Sequence, residues 1–230
     1  MRKIIEIAIV ILGWVRHKIG FRIRASDSIV KLNLGCGLAA HQGWINIDGS
    51  LNTLVSPLPQ IFHRLAFSFS GAKAYYSFGE YNRIISENHF FHADLSFGIP
   101  ANNGSVDFIY SSHFIEHLYP SEAKKLLLDC HRVLKPGGMV RICVPDLEYA
   151  VNMYKSGRKR EALDRYFFVE NKGSVYARHK YMYDFELLAE LLRDSGFHSI
   201  RRCRFREGKM SDLEFLDNQP EETLFVETEK

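Results

Sequence analysis

The sequence predicts an α/β protein, with a mostly parallel sheet and helices packed against it. Three observations carry this. Short apolar runs end on Gly35, Asp48 and Asp94, as buried parallel strands do. Stretches with helical spacing, above all around residues 123–134 and 187–192, alternate with further apolar runs. The 230 residues suit one domain with a core of its own, and no internal repeat or low-complexity tract interrupts them.

The strands are expected at Val30–Leu34, Trp44–Ile47, Phe90–Ala93, Val106–Ser111 and Met139–Val144, with two more at Ser199–Phe205 and Thr223–Val226. Residues 51–88 hold no clean period and carry Pro57, Pro59 and Gly71, so they read as an insertion with some helix. Asn102-Asn103-Gly104 is a turn. Ser121 is expected to cap a helix whose apolar face is Ala123, Leu126, Leu127, Cys130, Val133 and Leu134. Lys135-Pro136-Gly137-Gly138 stops that helix, because proline cannot continue it. A second helix starts at Asp184, with the stripe Leu187, Leu188, Leu191 and Leu192, and Gly196 closes it.

Composition narrows the function classes. A net charge of +3 is too mild to argue for nucleic acid. Cys36, Cys130, Cys143 and Cys203 lie too far apart for a zinc knuckle or a redox pair, and suggest reduced thiols in a cytoplasmic protein. Ile4–Val15 is apolar except for Glu6 and is followed by Arg16, Lys18, Arg22 and Arg24. It is shorter than the roughly 20 residues of a spanning helix. No small-residue cleavage site follows it. Residues 1–24 therefore read as an apolar and basic helix that packs either on the domain or on the inner face of a membrane.

Open α/β sheets bind ligands at the carboxyl ends of their strands, where Gly35 and Gly37 sit. Gly35-Cys36-Gly37-Leu38-Ala39-Ala40 fits the G-x-G-x-x-A dinucleotide fingerprint. That fingerprint needs a helix next and an acid about 20 residues on. Here Trp44 already opens the second strand and Asp48 comes soon after, leaving room for about one turn of helix. The spacing disfavours a pyrophosphate. A carboxylate at Asp48 still suits the two hydroxyls of a ribose.

LNLGCG, WINID, FHADLSFGIPANNGSVDFIYSSHFIEHL and RVLKPGGMVRICVPD stand in this order. Together they resemble the motifs of class I S-adenosylmethionine-dependent methyltransferases, in the small-molecule type 11 branch. The resemblance is close over residues 30–150 and weaker beyond. It implies a Rossmann-like seven-stranded sheet with helices on both faces and the last strand antiparallel. It implies S-adenosyl-L-methionine as cofactor. Gly35, Cys36 and Gly37 would line its methionine part, Asp48 would hold the ribose, Asp94 the adenine amino group, with Leu95 beside the ring. Ser111 and Ser112 would border cofactor and acceptor. There are three departures. Asn33 stands where the family often has an acid that contacts the cofactor through the loop. Ala39 replaces a glycine, and the first helix is nearly absent.

His113-Phe114-Ile115-Glu116-His117 also reads H-x-x-E-H, an inverted zinc-protease motif. It follows a strand and is cut short by Pro120, and no third ligand is evident, so no metal is expected. His113 is the first candidate for a base that takes a proton from an acceptor hydroxyl, and His179 the second. Residues 155–180 are rich in Lys, Arg and aromatic residues. They fall within a substrate lid at 150–183, which would attract an anionic small-molecule or glycan acceptor rather than nucleic acid. Surface-polysaccharide biosynthesis fits these features together. The alternatives are a non-catalytic binding protein on the same fold and, less favoured, a nicotinamide-dependent oxidoreductase.

Overall fold

The computed structural model describes residues 2–23, 28–169 and 178–230. The strands are β1 Lys31–Leu34, β2 Ile45–Asp48, β3 Phe90–His92, β4 Val106–Ser112, β5 Leu134–Pro145, β6 His198–Cys203 and β7 Thr223–Glu229. They form one sheet in the order β3-β2-β1-β4-β5-β7-β6. β1 pairs in parallel with β2 and β4, β2 with β3, and β4 with β5. β7 runs antiparallel to both β5 and β6. The expected sheet, with its antiparallel last strand, is the one observed. Chain order reverses between β1 and β4, so the crevice of an open α/β sheet lies at their carboxyl ends.

The helices are α1 Arg2–Lys18, α2 Leu51–Val55, α3 Gln60–Phe69, α4 Phe78–Glu87, α5 Pro120–Val133, α6 Leu147–Lys155, α7 Lys159–Ala162, α8 Phe185–Arg193 and α9 Leu213–Leu216. In α5 the sequence reading placed the cap wrongly. The N-cap is Tyr119, and Pro120 takes the first helical position, where an N–H would have no partner in any case. The Glu122 carboxylate accepts from the Tyr119 N–H at 2.8 Å. Asp184 caps α8 as expected, accepting from Leu187 N–H at 2.9 Å. β5 begins at Leu134, earlier than Met139. Leu134 pairs with Val106 before the register shifts to Phe108 and Met139, so Lys135–Gly138 form a bulge. Lys135 Nζ anchors the bulge on Asp107.

Residues 51–88 are more helical than expected. α2, α3 and α4 enclose a satellite core of Val55, Ala66, Ala72, Tyr81 and Ile85. The main core lies between the sheet and the α5 and α8 faces, with Leu32, Ile47, Ile109, Leu127, Val133, Leu188 and Phe197 fully enclosed. At the far end of the sheet, Arg141 on β5 is wholly buried and faces Glu227 across the β5–β7 pair. Its guanidinium donates to Asp217, to Glu227 and to the carbonyls of Arg204 and Glu207. This charged knot fixes the 204–217 loop against the sheet.

α1 packs on the carboxyl end of β3. Arg16 donates to the His92 carbonyl at 3.3 Å, His17 stacks on Phe97, and Phe21 stacks on Phe91. Among the described residues no helix is long and apolar enough to cross a membrane.

Candidate active site

The β1–β2 connection holds turns and no helix, so the short link reads out as expected. Gly35 and Gly37 both adopt positive φ, +65° and +53°, the left-handed region that disfavours side chains. Gly35 has a second constraint. A Cβ there would fall 2.1 Å from the Phe114 ring, so the first loop and the segment after β4 meet at this glycine. The N–H groups of Gly35 and Cys36 donate back to the Ile47 carbonyl, at 2.9 and 3.3 Å. Burial pushes the Cys36 thiol well up, with the Asp48 charge adding to it, so it is neutral and inert.

Asp48 closes β2. Its two carboxylate oxygens accept from Gly37 N–H at 3.1 Å and Ser50 N–H at 2.7 Å. The side chain is fixed yet half-exposed, and a carboxylate has about four acceptor sites, so two remain for ligand hydroxyls. Asn33 lies behind the loop, buried, and donates to the Ala39 carbonyl and to Asn46 Oδ1. These bonds let Asn33 brace the loop. Asn46 completes the brace by accepting from His41 N–H and donating to the carbonyls of His41, Trp44 and His89.

Asp94 follows β3 and caps a short turn by accepting from Ser96 N–H at 2.9 Å. Leu95 beside it is buried. Gly13 of α1 passes directly over Asp94, where an added Cβ would lie 3.1 Å from the aspartate Cβ. A cavity of about 360 Å³ opens between α1 and this loop, with Arg16, His92, Asp94, Asp129 and Arg132 in its wall.

Ser111 and Ser112 end β4 level with Ile142 and Cys143 of β5. The Ser111 hydroxyl is buried and has no hydrogen-bond partner. His113 follows with φ +50°, an uncommon conformation for a side-chain-bearing residue and one that concentrates at functional sites. Its Nε2 lies 3.2 Å from the Thr223 hydroxyl and its Nδ1 3.5 Å from Glu116 Oε1. Glu116 is 1% exposed, and neither of its oxygens has a hydrogen-bond partner. His117 and His179 stand against the same carboxylate, their rings 5.3 Å apart. Burial lowers the His179 pKa below the usual imidazole value, so it is neutral at pH 7.

Both histidines proposed as bases thus converge on Glu116, although 66 residues separate them in the chain (179 − 113). Sequence reasoning named Glu116 and His117 only within the H-x-x-E-H stretch and missed Phe114 and Thr223. Phe114 reaches Gly35 only through the fold, and Thr223 arrives from β7, so no local pattern marks either. The lid expected at 150–183 begins as α6, α7 and a π-helical turn at Leu163–Phe167 around Ala150, Met153, Ala162 and Tyr166. Residues 170–177 of it lie outside the described residues. Several of its cations already have acidic partners: Arg158 pairs with Glu161, Arg165 with Glu222, and Lys180 with Glu122.

A family profile described as a methyltransferase domain, of the type 11 branch, matches residues 72–142. No curated protein matches the chain. Solved structures do. A possible exported protein from Bordetella parapertussis is 14% identical, with 95% of this chain and 66% of that one covered and a TM-score of 0.52. The S-adenosylmethionine-dependent methyltransferase SibL, in its apo form, is 16% identical over 89% of this chain and 51% of that one, with a TM-score of 0.50. Identities this low show the fold alone. The profile match spans Asp94, the end of β4 and α5, and over residues 72–142 the chain is similar to a methyltransferase domain.

Proposed function

We propose that this protein is an S-adenosylmethionine-dependent methyltransferase that acts on a hydroxyl of a small or glycan-type acceptor, in surface-polysaccharide biosynthesis at the inner face of a membrane. The observation that carries the hydroxyl is His113, held in the left-handed region at the tip of β4 between Glu116 and Thr223. Bound S-adenosylmethionine supplies a methyl group on a positively charged sulfur. The chain's residues fit it. Gly35 and Gly37 leave bare backbone at the crevice, Asp48 has two free acceptor sites for a ribose, and Ser111 presents an orphaned hydroxyl. Asp94 and Leu95 stand at the next strand end for the adenine. The lack of a helix after Gly37 agrees with a ligand that has ribose but no phosphate.

In this reading His113 takes the acceptor proton on Nε2, and Glu116 stabilises the resulting imidazolium from the Nδ1 side. Orientation of the acceptor oxygen is the larger contribution, because the leaving group is already activated. The test has two arms. Calorimetry with S-adenosylmethionine should show binding that weakens roughly 10- to 100-fold in Asp48→Ala, the loss expected for hydrogen bonds to a charged group of about 1.5–3 kcal/mol. Methyl-labelled cofactor with a panel of sugar phosphates and nucleotide-linked sugars should then give labelled ether. His113→Gln should lower kcat by about 10²-fold or more while cofactor affinity stays unchanged. Label appearing only on amines or carbons would overturn the hydroxyl acceptor.

A further inference from the structure

We propose that Glu116, His117 and His179 form a site for one divalent cation of the zinc class. Each offers one ligand atom, and these atoms lie within 4.8 Å of one another. His117 Nδ1 lies 3.1 Å from the Arg178 carbonyl, and His179 Nδ1 lies 2.8 Å from the Tyr166 carbonyl. A carbonyl oxygen only accepts, so each Nδ1 carries the hydrogen. In the neutral imidazole the lone pair is then on Nε2. Metal-binding histidines are oriented in this way, with the far nitrogen tied to a backbone carbonyl.

The carboxylate supplies the independent observation. Glu116 is 1% exposed, and both oxygens lack a hydrogen-bond partner. The nearest histidine nitrogens stand at 3.5 and 3.9 Å, ion-pair distances too long for good hydrogen bonds. A buried carboxyl group whose oxygens both lack partners is costly. The His117 and His179 lone pairs beside it only deepen the excess of acceptors. A cation among them satisfies all three at once. Two imidazoles and one carboxylate are a zinc donor set, which leaves a fourth position for an oxygen of water or substrate. His117 is partly exposed, so the site is reachable.

The absence of a third ligand near the H-x-x-E-H stretch was one of the sequence arguments against a metal. The fold brings His179 in from the lid and meets that objection. The site stands without any assumption about the reaction. Its use, holding the acceptor hydroxyl and lowering its pKa, rests on the reading that a hydroxyl is methylated.

The full chain, dialysed against a chelator, is titrated with zinc chloride by calorimetry and with cobalt(II) in the visible spectrum. One equivalent should bind, and cobalt should give the absorption of a four-coordinate site. Glu116→Gln, His117→Gln and His179→Ala should each weaken binding by roughly tenfold or more, since loss of an outer-shell partner alone costs 10- to 100-fold. S-adenosylmethionine calorimetry on the same variants should stay as in the parent chain and shows that each is folded. Zinc uptake no tighter in the parent than in His179→Ala overturns the site, and so does an affinity indifferent to all three changes. Zinc binding without methylation of any hydroxyl leaves the site standing and removes only its proposed use.

Discussion

Gly35 shows how much one residue can carry. Its φ of +65° costs a side-chain-bearing residue about 1–2 kcal/mol. The Phe114 ring also occupies the space a Cβ would need. Gly35→Ala should therefore lower the melting temperature by roughly 4 °C or more for a chain of this size. Cofactor affinity should fall with it. Adding Phe114→Ala should relieve the steric part alone, so the double variant should melt above the sum of the two single losses, measured by calorimetric scanning as a double-mutant cycle. A strictly additive pair would show that the ring simply yields. At this scale the sequence was informative where chemistry is local: Gly35, Gly37, Asp48 and Asp94 all stand at strand ends as read. It was silent where a residue's neighbour is distant. The place of Asn33 in LNLGCG gave no sign of the bonds it donates to Ala39 and Asn46, which brace the loop. Nothing local marks Glu116 as the neighbour of His179, because the two are far apart along the chain.

Among the elements, α1 turns one face to the domain and leaves apolar side chains exposed beside it. Gly13, Arg16 and His17 turn towards the β3 end. Val10, Ile11, Trp14 and Ile19 are exposed, with Ile19 at 72%. Lys18 lies over the Trp14 ring of that strip. The helix packs on the domain and still presents exposed apolar side chains. An anionic lipid surface is the partner we propose for it. Ile11→Glu with Ile19→Glu should abolish sedimentation with phosphatidylglycerol-containing vesicles, and melting should be unchanged because both side chains are exposed. Equal sedimentation of parent and variant would remove the membrane from the account. The other elements were legible to differing degrees. α5 and α8 were read from their apolar stripes almost to the residue. The helices of 51–88 were not, because they fold round a private core of five residues and so share no stripe facing the sheet.

For the molecule as a whole, stability should depend on pH well above the carboxylate range. Burial lowers the pKa of His41, His92 and His131 below the usual imidazole value. For His92 the nearby Arg16 charge lowers it further. A depressed histidine is neutral in both states above about pH 6.5 and costs nothing there. Below that, the unfolded chain takes up protons that the folded chain refuses, so stability falls as pH falls. The urea midpoint should therefore drop between pH 7.5 and pH 5.5. His92→Leu removes one of these groups and should make the drop shallower. A midpoint flat across that window would contradict the buried neutral state. The overall topology was legible because β–α alternation and ordered motifs extend over most of the chain. The far edge of the sheet was less so, since Arg141 reads as an interruption in β5 until Asp217 and Glu227 are seen around it.

The place of β7 bears on how the chain reaches this structure. Residues 223–229 form an interior strand, flanked by β5 on one side and β6 on the other. β6 has no other neighbour in the sheet, so it has nothing to join until β7 is in position. The Arg141 guanidinium likewise lacks Glu227 until then. During synthesis, β1 to β5 can pair as each emerges, whereas β6 and β7 can join the sheet only once residues 223–229 have been made. Ribosome-bound intermediates would then show a bare β5 edge and an uncompensated cation, the kind of exposed pairing surface that chaperones cover.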